Sequence, residues 1–315
     1  MASNSNTSVR KPRPLKRGDL VEIVTPASPL DVSKVDDVTK LLLAQGYRVR
    51  LGEHALERDS YLAGSDQDRA QDLQGAFADP EVAAVLCSRG GYGCARLFPY
   101  LDLDAMASSG KMFLGFSDIT TLHLALNRRG LPTVHAPMAI TLSVPREHWV
   151  LQSFLRVLRG EMVVPADAPG GTTIVGGTAE GVVTGGCMCL LTDSLATADA
   201  LDATGKILIL EDVDEAPHRV DAMLTHMLNS GILQSAAGIV MGEMTRTDEK
   251  ADQTIGPRPW QDIVIERIQP LGIPFIIGYP FGHMPNMLSL PLGIKAVLNA
   301  DEGMLTYTED LCESD

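Results

Sequence analysis

The sequence predicts an α/β protein in two parts, and three observations carry that reading. Short β-rich runs alternate with helix-length amphipathic stretches from Asp19 to Met138, the rhythm of a parallel sheet with helices on both faces. The rhythm then breaks at a Pro/Gly/Thr-rich passage, PADAPGGTTIVGGTAEG, of the kind that joins domains. The length of 315 residues suits two domains at roughly 100–200 residues each.

In chain order, DLVEIVTPAS reads as a strand and loop. From Ser33 to Ala44 apolar residues recur at helical spacing (Val35, Val38, Leu41, Leu42), and Gly46 stops the helix. YRVRLG is a second strand, Gln67 to Ala78 a helix, and VAAVLCS a strand followed at once by RGGYG. KMFLGFS is another strand, and ITTLHLALNRRG a helix closed by Gly130. After VHAPM come a helix, WVLQSFLRVLRG, and the Pro/Gly-rich connection. Beyond it lie KILILED, a helix from Arg219 to Leu228, AGIVMGEM, a helix from Trp260 to Ile268, IPFIIGYPFGH and a hairpin-like AVLNADEGMLTY. These make a second α/β domain with a mixed sheet. The expected boundaries are a flexible tail at 1–13, an N-terminal domain at 14–145, a linker at 146–180 and a C-terminal domain at 181–315.

Composition narrows the function. Hydrophobic residues at 45% and charged residues at 21% fit a folded globular chain. Forty acidic against 26 basic residues leave a net charge of −14, which nucleic-acid backbones and anionic lipid surfaces would repel. The five cysteines, Cys87, Cys94, Cys187, Cys189 and Cys312, contain no C-x-x-C pair and read as reduced thiols. The polar start MASNSNTSVRKPRPLKRGD carries no apolar secretory core, and no apolar run reaches membrane-spanning length. A soluble, cytoplasmic protein is expected.

Chemistry can sit in three places. In GFSD, Ser117 ends an apolar strand just before a helix, a turn that projects a hydroxyl outward beside the N–H of Asp118. The second glycine of the usual nucleophile elbow is missing, and Ser-Asp before a helix also suits an ordinary N-cap. In SRGGYG, Ser88 to Gly93, consecutive glycines after a strand let the backbone approach a ligand and present N–H groups to an anion; a plain tight turn is the alternative. The run matches neither the P-loop nor the dinucleotide fingerprint. The third place pairs Glu211, at the C-terminal end of ILILED with Asp212, Asp214 and Glu215 behind it, with His283 in the loop GYPFGHMPN. His135 in VHAPM competes as a base, whereas His54, His123, His148, His218 and His226 fall in helices or polar contexts. Metal binding is not expected: HExxH and EF-hand patterns are lacking and the cysteines are not at zinc spacing.

Five stretches, taken in order, resemble one family: RPLKRGDLVEIVTPASP, VLCSRGGYGCARLFPYLD, FLGFSDITTLHLALNRRGLPTVHAPM, ILILEDVDEAPHRVDAMLTHMLNSGIL and IPFIIGYPFGHMPNMLSLPLG. The chain is identified as a member of the LD-carboxypeptidase (muramoyltetrapeptide carboxypeptidase) family of serine peptidases, which includes the microcin C self-immunity peptidases. The resemblance implies a flavodoxin/glutamine-amidotransferase-like N-terminal domain and a swivelling-type C-terminal domain. It also implies a catalytic triad of Ser117, Glu211 and His283, with Ser117 on one domain, its partners on the other, and an oxyanion hole from the N–H groups of Gly91 and Asp118. Arg89 and Gly90 are candidate substrate contacts, and Arg89 also suits a surface salt bridge. No cofactor or metal is implied. The implied reaction is hydrolysis of the L,D bond of a murein tetrapeptide, releasing D-alanine in peptidoglycan recycling, by a homodimer. Cleavage of peptidyl-nucleotide antibiotics is the alternative within the family, and a non-catalytic ligand-binding protein the alternative outside it. Two positions depart from the family pattern: Cys187 stands where G-G-N is usual, and Ala136 where H-G-P-M is usual.

Overall fold

Val21, Ile23, Val24 and every residue of VAAVLC are shielded from solvent, because these runs lie inside a parallel sheet whose two faces are covered by helices. The computed structural model describes residues 9–313 apart from 163 and 255. Strands β1 (Leu20–Val24), β2 (Arg48–Leu51), β3 (Val82–Cys87), β4 (Met112–Gly115) and β5 (Thr133–His135) stand in the order β5-β4-β3-β1-β2, all parallel. Helices α1 (Val32–Ala44), α2 (Asp66–Ala78), α3 (Leu103–Ser108) and α4 (Thr120–Arg128) make the crossovers. Helix α1 begins where the Asp31 side chain accepts the N–H of Ser33, and it buries Val35, Val38 and Leu42 at helical spacing. Ser65 caps α2 in the same way through the N–H of Asp68.

After the short α5 (Ala139–Leu142), helix α6 (His148–Leu158) bridges the two halves. Phe154, Val157 and Leu158 join the core that contains Ile23 and Leu114, while Trp149 and Val150 join the core under the second sheet. That sheet contains β6 (Thr172–Val175), β7 (Thr178–Cys187), β8 (Ile207–Val213), β9 (Gly238–Thr245) and β10 (Phe275–Ile277), with α7 (Met188–Asp193), α8 (Pro217–Asn229), α9 (Ile232–Ser235) and α10 (Trp260–Ile268) between them. The chain then forms β11 (Leu290–Leu292), β12 (Lys295–Asn299) and β13 (Met304–Tyr307). The second sheet runs β13-β12-β7-β8-β9-β10-β6, with β7 to β10 parallel and antiparallel strands at both edges.

The first sheet is the expected parallel one through β1 to β5, and β11 adds to its edge, pairing antiparallel with β5, Leu290 opposite His135 and Leu292 opposite Thr133. Within 146–180, α6 fills two cores and β6 closes an edge of the second sheet. Of the expected tail, residues 1–8 lie outside the described residues, but Arg10 donates its N–H to Gly130 and Pro12 accepts from Glu313. Lys11 also pairs with Glu309 at 2.9 Å. Backbone bonds to the turn at the end of α4 and to the C-terminal residues hold this stretch down. Among the described residues no helix is long and apolar enough to cross a membrane.

Candidate active site

Strand β4 delivers Ser117 to the crevice between the sheets. Its φ of +66° lies in the left-handed region, which costs a non-glycine residue about 1–2 kcal/mol and persists only where the surroundings impose it. Asp118 is buried and its carboxylate accepts the N–H of Cys94 at 2.8 Å, tying GFSD to the far end of the glycine run; burial pushes that carboxyl above its ordinary range. His123, buried in α4, meets the carbonyl of Gly115 at 2.8 Å. Facing the serine is Gly90, where a β-carbon would come within 3.2 Å of the Asp118 nitrogen. Gly91, at φ +116°, packs on the Ser28 hydroxyl. Only glycines permit so close a backbone approach.

The carboxylate and imidazole come from the other half. Glu211 is buried on β8, and its Oε2 accepts both His283 Nδ1 at 2.7 Å and the His283 backbone N–H at 3.1 Å. Gly282, at φ +97°, packs directly on this carboxylate and leaves no room for a side chain, which is the physical reason for the glycine in PFGH. His283 Nε2 then lies 3.0 Å from Ser117 Oγ, and Phe116 packs against the imidazole at a centroid distance of 4.9 Å. Burial opposes ionisation of both partners, yet their mutual charge and hydrogen bonds prevail. Glu211 is held below the usual carboxyl value and His283 above the usual imidazole value.

The other sequence candidates fall into place around this chain. His135 is fully buried between Phe116 and Phe281, and burial lowers it to about 4, so it is neutral. Among the described residues no hydrogen bond joins it to Ser117; His283 takes that position. Arg89 is half-buried and donates to the carbonyl of Pro29 at 3.2 Å, leaving its Nε without a protein partner and the guanidinium without a salt bridge among the described residues. Asp214 is engaged by Arg246 and Lys250, and Glu215 by Arg219. A cavity of about 440 Å³ opens beside the serine, lined by Gly91, Tyr92, Asp118, Cys189, Glu215 and Arg219 among others.

Two features escaped the sequence reading. Thr120 Oγ1 accepts the N–H of Cys187 at 3.1 Å, locking the end of β7 to the start of α4. Cys187, Cys189 and Asp212 also bring three potential metal-ligand atoms within 4.8 Å of one another, although their spacing matches no familiar zinc pattern.

Two packed sheets with a hydroxyl, an imidazole and a carboxylate joined in series across their crevice define the class: a two-domain α/β protein with a hydrolase-type site. The LD-carboxypeptidase N-terminal domain matches residues 21–136 and its C-terminal domain residues 180–298. This chain belongs to the LD-carboxypeptidase family. It is 35% identical over 297 residues to a probable murein peptide carboxypeptidase of Bacillus subtilis, covering 93% of this chain and 92% of that protein. It is 33% identical over 293 residues to the murein tetrapeptide carboxypeptidase of Pseudomonas aeruginosa, covering 89% and 93%. In fold it is similar to the microcin C7 self-immunity protein, solved as an inactive mutant, with a TM-score of 0.85 at 22% identity over 96% of this chain and 100% of that one.

Proposed function

We propose that this chain is a serine-type carboxypeptidase that hydrolyses the L,D peptide bond of murein tetrapeptides and releases terminal D-alanine, a step of cytoplasmic peptidoglycan recycling. One observation carries the reading: the unbroken series from Ser117 Oγ through His283 to Glu211, at 3.0 and 2.7 Å, with the serine held in a left-handed turn. The murein peptide carboxypeptidases among the relatives support the substrate class.

The chemistry follows from these groups. His283 Nε2 accepts the Ser117 proton as Oγ attacks the scissile carbonyl. Glu211 fixes the tautomer that leaves Nε2 free and stabilises the imidazolium that forms. The N–H groups of Gly91 and Asp118 receive the developing oxyanion; one such donor is worth about 10²–10³ in rate. Collapse of the tetrahedral intermediate passes the proton from His283 to the amine of D-alanine, which leaves. Water, deprotonated by the same imidazole, then hydrolyses the acyl-enzyme and restores Ser117. Arg89, next to Gly90 and with its Nε buried and unpartnered among the described residues, is the cation nearest in sequence for the free carboxylate of the departing residue. With a net charge of −14, long-range attraction of an acidic peptide is not available and local cations must hold it.

The test is Ser117→Ala. The variant should keep its circular dichroism and melting temperature but release no D-alanine from a tetrapeptide; undiminished release would reject the assignment. Preferred turnover of a peptidyl-nucleotide conjugate by the native protein would move the substrate to the immunity type.

A further inference from the structure

We infer that Cys187, Cys189 and Asp212 form a binding site for one thiophilic divalent cation of the zinc class, in the wall of the crevice beside Glu211. The three residues converge from separate elements: Cys187 ends β7, Cys189 begins the turn of α7, and Asp212 lies on β8. Cys187 is the register partner of Glu211 across the two strands.

The distances suit a tetrahedral ion. Cys187 Sγ lies 3.5 Å from Cys189 Sγ and 3.5 Å from Asp212 Oδ1. Bonds of about 2.3 Å to sulfur and about 2.0 Å to oxygen place tetrahedral ligands about 3.8 Å apart for two sulfurs and about 3.5 Å apart for sulfur and oxygen. Two of the three separations thus lie within a few tenths of an ångström of the tetrahedral values, and all three ligand atoms lie within 4.8 Å of one another. The carboxylate is already aimed: its Oδ2 accepts the Cys189 N–H and its Oδ1 the Val213 N–H, each at 2.8 Å. Bonds of this kind orient a ligating carboxylate.

Asp212 is 1% exposed, and its hydrogen-bond partners among the described residues are two amides and a thiol, with no cation among them. A divalent cation neutralises this buried carboxylate, displacing two thiol protons to solvent and binding two thiolates and one carboxylate, with a water as fourth ligand. Two sulfurs select zinc-class ions over magnesium or calcium. Cys189 lines the 440 Å³ cavity and gives the ion its route in.

The site stands or falls independently of hydrolysis, so the test reads binding directly. Full-length, metal-stripped protein is kept reduced and titrated with Co²⁺ as a visible probe, in the native and Ser117→Ala forms. Both should bind one equivalent, with thiolate-to-cobalt charge-transfer absorption and the visible bands of a tetrahedral ion, displaced by Zn²⁺. Cys189→Ser and Asp212→Asn should each weaken binding by about tenfold or more, with native-like melting, while Cys312→Ser should change nothing. The inference is overturned if excess Co²⁺ produces no charge-transfer band, or if the band persists at full strength in Cys189→Ser.

Discussion

Gly90 and Ser117 face each other so closely that a β-carbon on residue 90 would stand 2.7 Å from Ser117 Cβ and 2.8 Å from its Oγ. The glycine run thereby sets where the serine hydroxyl can be. Gly90→Ala must push Ser117 away from His283, and a misplacement near 1 Å costs about 10² in rate. The expected result is a fall of that order in kcat/KM for D-alanine release, with secondary structure intact by circular dichroism. A rate equal to native would show that this contact does not position the hydroxyl.

Glu211→Gln keeps the size of the side chain but removes the charge that holds His283 in its tautomer. Loss of the acid from a comparable triad costs about 10⁴ in kcat, and a loss between that and 10² is expected here. The same change should lower the His283 pKa, since Glu211 is what raises it. Proton NMR of the imidazole reads the shift, and an unmoved resonance would contradict the pairing.

The rate should depend on pH through His283. The imidazole must be neutral to accept the Ser117 proton, and its pKa lies above 6.5. The acidic limb of kcat/KM should therefore rise with pH through a midpoint above 6.5. Stability has the opposite sign. The raised pKa stabilises the fold fully below 6.5, and the contribution fades as pH climbs through the folded-state value. A midpoint at or below 6.5 in the rate profile would oppose this assignment.

Acid should weaken the fold through the buried imidazoles. Burial lowers His123 to about 3 and His135 to about 4, so below pH 6.5 the unfolded chain binds protons that the native state refuses. At pH 5 each costs about 2 kcal/mol. Urea melts at pH 7 and pH 5 test this. His123→Gln, which can still donate to the Gly115 carbonyl, should remove about 2 kcal/mol of the loss; an unchanged pH dependence would refute it.

Much of the architecture was legible because it rests on local periodicity. The apolar run ILILED became β8, and the helix expected from Trp260 to Ile268 has those ends. Helix α8 starts at Pro217, two residues before the expected Arg219, because proline is well suited to the first helical position. Strand β6 went unread: Thr172 and Thr173 are exposed on an edge strand and show no buried alternation. Strand β11 was hidden by Pro291, which argues against a strand by itself and is tolerated where the strand lies at a sheet edge. Among the site residues, Ser117, Glu211 and His283 were marked by their strand-end and glycine-flanked settings. Cys187, Cys189 and Asp212 were not, because the two thiols, with Met188 between them, match no metal spacing and the carboxylate arrives on a neighbouring strand.

Composition and periodicity alone determined that this chain forms an α/β protein, that it carries a net charge of −14, and which few side chains stand at strand ends. Each of these depends on interactions within about one helix or strand length. Tertiary structure decided which histidine reaches the serine, that Gly90 and Gly282 carry no side chain because a hydroxyl and a carboxylate occupy the space, and that two thiols meet a buried carboxylate. Those outcomes depend on ångström-scale distances between segments from 23 to 166 residues apart, fixed by the packing of two sheets and expressed in no local pattern.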